Sequence, residues 1–434
     1  MSRLLTVTSP RRARATLVVV SIVVSALAVA IGGPTAADPR GTPVMGRAVV
    51  SAQDLAGWFR STGKTSRATV DIDTLARYFI EEGEAEGVAG DIAFAQSIVE
   101  TGYFSFSDRV RPEFNNFSGL GAVDSGTSAE VFPDARTGVR AQIQHLRAYA
   151  DPGVTVDDLA HPLVDTRFHL VRPTGRAPTW EQFGGGVWAT DPDYAGKVLR
   201  IRLSILQWGR RYGTARFAPF ATAEPFVRQG FRDVLFREAS GGEIRLWDTA
   251  LRDGAVTPEQ FVAELFRGEG ASTVQQVTRL YFSALGRLPD RAGLAYWTNR
   301  RKAGAPLSTL AAQVIGSREF TVRFGTPDDG AYVDLLYQNV LGRLPDGPGR
   351  AYWQAALASG RWTRTSVLLY FSESSENRAR TAPRVEVAVL HLGLLLAPPD
   401  LEITDDWRTR RSGGQQLEDL VFSLLTDASY LGRF

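Results

Sequence analysis

Glu100 is the residue of this chain best suited to proton chemistry. It stands near the end of the run FAQSIVETG, residues 94–102. Ile92, Ala95, Ile98 and Val99 recur at helical spacing, Asp91 can cap the start of such a helix, and Gly102 can stop it. Glu100 therefore falls in the last turn, where the partial negative charge of the helix end disfavours an ionised carboxylate. Tyr103, Phe104 and Phe106 follow at once and can desolvate the same group, which also raises its pKa. A carboxyl group that stays protonated near neutral pH is a general acid. A lone Glu-x-Gly triplet is common at surface helix ends, so the surrounding segments must decide.

Those segments come in a definite order. A glycine-punctuated loop with paired amides, NNFSGLGA, occupies residues 115–122. A helical run, GVRAQIQHLRAYAD, covers 138–151, and an aromatic loop feeding a further helix, WEQFGGGVWATDPDYAGKVLRI, covers 180–201. Upstream, Asp71 or Asp73 can cap a helix carrying Leu75, Tyr78, Phe79 and Ile80 that ends by Gly87 or Gly90. Little of this alternates with period two, so an all-α, lysozyme-like domain is expected, with at most a short β-hairpin near 122–132. The ordered set resembles the glucosaminidase domain of glycoside hydrolase family 73, in its actinobacterial secreted form, from about Asp71 to Tyr212.

The resemblance implies hydrolysis of the β-1,4 bond between N-acetylglucosamine and N-acetylmuramic acid in peptidoglycan, with Glu100 as general acid and no cofactor. Glycoside hydrolysis usually takes a second carboxylate about 5 to 9.5 Å away. Glu130 is the nearest positional match, although its frame SAEVFPDARTG departs from the family pattern; Asp124 and Asp134 are alternatives. The substrate's own acetamido group is another route. The resemblance also implies that Asn116 contacts substrate while Asn115 holds the loop, and that Tyr194 lines the cleft. Gly119 and Gly121 would let a sugar approach the backbone, with Phe117 packed beneath them. Trp180 and Trp188 are each open to core packing or sugar contact, and Tyr103 to either a cleft wall or the core.

Composition bounds the remainder. With 434 residues there is room for two or three domains. Residues 1–37 contain Arg3, Arg11, Arg12 and Arg14 and no acid, which leaves the rest of the chain at a net −2, with nothing to suggest a nucleic-acid partner. A basic stretch, an apolar run over 15–31 and small residues Thr35 and Ala37 read as an export signal ending at 37; an uncleaved membrane anchor is the competing reading. Residues 38–70 read as a flexible segment with a short helix near its middle. No cysteine is available for a disulfide, and the histidines, His145, His161, His169 and His391, are too scattered to bind a metal.

After a connection at 214–226, residues 227–434 repeat. Trp247, Trp297, Trp353 and Trp407 recur at intervals of 50 to 56 residues, clearest in LYFSALGRLPDRAGLAYW and LYQNVLGRLPDGPGRAYW. Each unit should run helix, G-R-L-P-D turn, then a helix holding the Trp. Asp290 and Asp346 would cap that second helix, and Arg287 and Arg343 would pair with them across the turn. These stretches resemble domain of unknown function 4214. Stacked units with degraded outer copies as caps are expected, the tryptophans serving as core anchors in preference to sugar platforms. The array could attach the chain to an envelope partner. A lytic transglycosylase or a non-catalytic wall-binding protein are the rival functions.

Overall fold

The computed structural model describes residues 41–122 and 129–434. The expected export signal, 1–37, lies outside these residues. Among the described residues the chain is helical throughout, and its only β-type pairings are isolated bridges, Pro43 with Thr179 and Met45 with Val88. No described helix is long and apolar enough to cross a membrane.

The first five helices build one domain: α1 (Ala52–Ser61), α2 (Ile72–Glu86), α3 (Gly90–Glu100), α4 (Ala135–Ala150) and α5 (Tyr194–Tyr212). Asp71 caps α2 by accepting from Thr74 N, and Gly87 ends it at φ +71°. Helix α3 is buried from Gly90 to Ile98 and mostly apolar, so it runs through the middle with α2 and α5 against it. A side chain at Gly90 would strike the backbone, since a β-carbon there would lie 2.1 Å from Phe79 O. The α2–α3 corner can close only with glycine.

Two local expectations change. Asp91 does not cap α3: the cap is Ala89, and buried Asp91 instead accepts from Val49 N at 3.0 Å, fastening the preceding segment to the helix. Residues 41–70 are not a loose tail, because Val44, Leu55, Trp58 and Phe59 are buried in the main core. Each such side chain contributes about 1.5–3 kcal/mol on burial, enough to hold a short helix down. The expected hairpin near 122–132 falls largely outside the described residues, which leave out 123–128; on either side of that stretch Glu130 N donates to Leu120 O and Phe132 N to Phe114 O, at 2.8 and 2.9 Å.

The connection at 214–226 is a packed joint. Thr214 donates to Asp54 through both N and Oγ1, Arg210 pairs with Glu259 at 2.9 Å, and the Phe220 ring lies 4.7 Å from that of Phe434.

Fourteen further helices follow in four copies of the repeat. The first copy holds α6 (Ala223–Leu235), α7 (Gly241–Arg252) and α8 (Pro258–Arg267). The second has α9 (Ser272–Leu285), α10 (Arg291–Lys302), α11 (Leu307–Ile315) and α12 (Arg318–Phe324). The third has α13 (Asp329–Leu336), continued by a π-helical turn Tyr337–Leu341, then α14 (Gly347–Ala358) and α15 (Arg364–Ser372). The last has α16 (Ser375–Leu390), a second π-helical turn His391–Leu395, α17 (Leu401–Ser412), α18 (Leu417–Leu425) and α19 (Ala428–Leu431). One frame recurs in all: a left-handed residue (Phe236, Gly286, Gly342, Leu396), then the caps Ser240, Asp290, Asp346 and Asp400, then a Trp seven residues on. Trp297, Trp353 and Trp407 are buried anchors, as expected. Arg287, however, pairs with Glu319 (2.6 Å), because the carboxylate of Asp290 is taken by its cap bond to Gly293 N.

The copies do not form an open stack. The fourth packs on the first through α8 and α18, and through the last π-turn against α6. Arg433, next to last in the chain, reaches buried Asp233 in α6 at 2.9 Å. The outer copies cover each other's apolar faces, so they complete one core and are not polar caps.

Candidate active site

Helix α3 delivers Glu100 as its final residue, half-buried. Its Oε1 accepts from Trp188 Nε1 at 2.9 Å and, through a very short bond, from the Tyr194 hydroxyl. Its Oε2 faces the amide loop, where a β-carbon on Gly119 would lie 3.5 Å away. Burial raises the Glu100 pKa, and the hydrogen bonds from Tyr194 and Trp188 oppose the rise by favouring the anion. The two oxygens thus differ: Oε1 is a fixed acceptor, and a proton belongs on Oε2.

The direction of the Tyr194 bond is set from behind by a buried polar chain. Gln142 Nε2 donates to Gln96 Oε1 at 2.7 Å, Gln96 Nε2 donates to the Tyr194 oxygen at 3.0 Å, and the Tyr194 proton is left for Glu100. Ser97 Oγ supplies the donor for Gln142 Oε1 at 2.9 Å. Gln96, Ser97 and Gln142 are fully buried, so their polar atoms have only one another and nearby backbone to satisfy them. Burial and the nearby Glu100 push the Tyr194 phenol pKa well above its ordinary value, which keeps the proton on it.

The loop beside Glu100 is shaped by its two asparagines. Asn115 sits at φ +50° and bonds Phe132 O and Thr69 Oγ1, holding the loop as expected. Asn116 is turned into the loop itself. It is buried, its Nδ2 donates to Leu120 O and Glu130 O at 2.8 and 3.0 Å, and its Oδ1 accepts from Leu120 N at 3.0 Å. Every polar atom of that carboxamide is used in tying residues 118–120 to Glu130. Phe117 is buried beneath, against Phe79 and Phe104.

Glu130 belongs to the same construction, its Oε1 standing 3.3 Å from where a β-carbon of Gly121 would be. Asp134 is the N-cap of α4, bonded to Thr137, and that bonding lowers its pKa, so it is occupied structurally. Asp124 lies outside the described residues. Trp180 is fully buried 4.9 Å from Phe183 and is a core residue. Tyr103 turns away to stack on Trp58 at 6.2 Å. Of the residues singled out in the sequence, Tyr194, Trp188 and Gly119 stand against Glu100, Glu130 stands against Gly121 of the same glycine loop, and Asn116 and Tyr103 make their contacts within the protein.

A cleft of about 200 Å³ opens next to this group, lined among others by Gly119, Leu120, His145, Arg167 and Trp188. The sequence gives His145 no part in this site. Here its Nδ1 bonds fully buried Asp165 at 2.7 Å, and its ring meets Trp188 edge-on at 5.3 Å, bracing the indole that bonds Glu100. Nothing in the spacing of His145 and Asp165 announces the pair. Gln96 and Gln142 did leave a signal, being polar residues on otherwise apolar helix faces.

Fold and cleft together define the class: an all-helical, lysozyme-like domain that presents a half-buried carboxylate beside a glycine loop. Residues 76–205 match the family described as mannosyl-glycoprotein endo-beta-N-acetylglucosaminidase. Residues 311–381 match a domain of unknown function, DUF4214. An uncharacterized protein of Borreliella burgdorferi is 39% identical over 137 residues, which is 32% of this chain and 64% of that protein. No solved structure matches the chain.

Proposed function

We propose that this protein is an exported peptidoglycan hydrolase, an endo-β-N-acetylglucosaminidase that cuts the β-1,4 bond between N-acetylglucosamine and N-acetylmuramic acid. The observation that carries the reading is the division of labour within Glu100. Oε1 is held by Tyr194 and Trp188 while Oε2 faces the glycine loop, in surroundings that raise the pKa. Protonated Oε2 gives its proton to the glycosidic oxygen as the bond to C1 breaks, and the muramic acid leaves as an alcohol. The carboxylate that remains is stabilised by the same two donors, so they act most strongly as charge develops.

The positive charge left on C1 needs an anionic partner or an internal nucleophile until water adds there, its oxygen becoming the anomeric hydroxyl of the new reducing end and its proton returning to Glu100. Glu130 takes that part in the proposal, because Asn116 ties its backbone to the loop that faces Glu100. The basic and apolar composition of residues 1–37 supports export to the wall, where the substrate is found. The repeats would then hold the enzyme in the envelope.

Digestion of purified peptidoglycan by the parent and by Glu100→Gln and Glu130→Gln variants tests this, with reduced products identified by mass spectrometry. Fragments ending in reducible N-acetylglucosamine, lost in Glu100→Gln, are expected. Anhydro-sugar ends, or no release by the parent, would overturn the hydrolase.

A further inference from the structure

The second and third repeat copies share a frame but differ at one place. In the second, Arg287 follows the left-handed glycine Gly286 and is gripped through both ends of its guanidinium by Glu319, two residues past the cap Ser317 of α12. The counterparts in the third copy are unambiguous. Arg343 follows left-handed Gly342, and Glu376 lies two residues past the cap Ser374 of α16. Yet neither Arg343 nor Glu376 has an ion-pair partner among the described residues; both instead line a cavity of about 530 Å³.

Aromatic rings form its other walls: Tyr337, Tyr352, Trp353, Trp362, Tyr370 and Phe371. Trp353 is the buried anchor, and Trp362 stands edge-on to it at 5.4 Å. Tyr352 and Tyr370 are 52% and 55% exposed, large apolar surfaces left in water. By register, Trp362 and Tyr370 replace Ala305 and Gln313 of the second copy, one residue before the cap of α11 and seventh within the helix. The unit therefore folds without an aromatic at either position. The backbone differs too: Tyr337–Leu341 is π-helical where the second copy continues as α-helix to Leu285. Single π-turns of this kind occur often at functional sites.

We propose that this cavity is a glycan-binding site, separate from the cleft at Glu100, taking N-acetylhexosamine units of a wall polysaccharide. A pyranose ring has apolar C–H faces and a polar rim. Exposed tyrosine and tryptophan rings suit the faces, while Arg343, Glu376, Ser375 and the phenol hydroxyls suit hydroxyl and acetamido groups. A purely apolar partner would leave the unpaired Arg343 and Glu376 buried without compensation. The choice of a glycan rests on the proposed hydrolase reading, since a chain that cuts wall glycan gains local substrate by holding the same polymer at a second point.

The test uses the full chain bearing Glu100→Gln, which binds without cutting, titrated calorimetrically with tetra-N-acetylchitotetraose and sedimented with insoluble chitin. Tyr370→Gln is the deciding variant, because the second copy already tolerates glutamine there; Trp362→Ala and Arg343→Ala accompany it, with unfolding curves to confirm their fold. Two binding sites are expected in the Glu100→Gln protein, one of them weakened about tenfold or more by Tyr370→Gln, the equivalent of losing one stacked ring. A single site, unaffected by all three substitutions, would overturn the proposal. So would sedimentation with peptide-bearing wall but not with chitin, which would assign the cavity to the peptide stems. Release of fragments by the parent is scored separately. Cutting without second-site binding refutes this inference alone, and second-site binding without cutting refutes only the hydrolase.

Discussion

Replacing Tyr194 by phenylalanine isolates the bond on which the acid depends. It removes the hydroxyl that donates to Glu100 Oε1 and keeps the ring at the start of α5. A hydrogen bond to a charged group contributes about 1.5–3 kcal/mol. Here it favours the ionised form, so its loss makes deprotonation harder. At about 1.36 kcal/mol per pH unit, the alkaline limb of the pH–rate profile should move upward by about 1 to 2 units. The sign is fixed: a general acid works when protonated, and activity falls as pH rises through its pKa. Near neutral pH kcat should fall about 10- to 100-fold, because the carboxylate formed in the transition state has lost a donor. Gln96 Nε2 would also lose its acceptor in a fully buried site, costing about 1–3 kcal/mol of stability. The assay is reducing-end release from soluble glycan fragments between pH 4 and 9, with denaturant unfolding alongside. A limb that stays put or moves downward would refute the assignment of Glu100 as the acid held by Tyr194.

Glu100→Gln should abolish turnover yet change stability in a pH-dependent way. Burial raises the folded pKa of Glu100, so the stability tied to its protonated form is full below the unfolded value, about 4.3, and is lost as pH rises through the folded value. The variant, lacking that titration, should gain in melting temperature relative to the parent as pH increases, and a gap that narrows would contradict the burial argument. Gly119→Ala places a methyl 3.5 Å from the Glu100 Oε2 position at φ +66°, so kcat/KM should drop sharply for a folding cost of about 1–2 kcal/mol. Arg433→Ala leaves Asp233 buried without its cation and should cost about 3–5 kcal/mol in urea unfolding; a loss under 1 kcal/mol would show that the ends of the repeat array are not coupled.

Much of the local order was legible in the sequence. The helix ending at Glu100, the cap at Asp71, the G-R-L-P-D turns with capping Asp290 and Asp346, and the recurring tryptophans all follow from periodicity and turn chemistry that act within a few residues. The gathering of Tyr194 and Trp188 with Glu100 was also readable, through motif order. What failed did so for identifiable reasons. Asp91 looked like a cap, but a tertiary partner, Val49 N, claimed its carboxylate. Asn116 looked like a ligand to sugar, but an amide has only a few bonds to give, and the loop backbone took them. Arg287 was assigned to the acid nearest in sequence, which was already committed to a helix cap.

The sequence by itself determined the helices, their ends and the order of the chemical residues, since those depend on neighbours three or four positions apart. Only the tertiary structure decided which oxygen of Glu100 faces the glycine loop, and that His145 and Asp165 brace the tryptophan beside it. It alone showed the first and last repeats closing on each other, and Arg343 and Glu376 standing unpaired in an aromatic cavity. Those outcomes depend on which of several possible partners reaches a polar group first in space; where the group is buried, as at Gln96, Asn116 and Asp165, the choice is binding because an unsatisfied group has no water to fall back on.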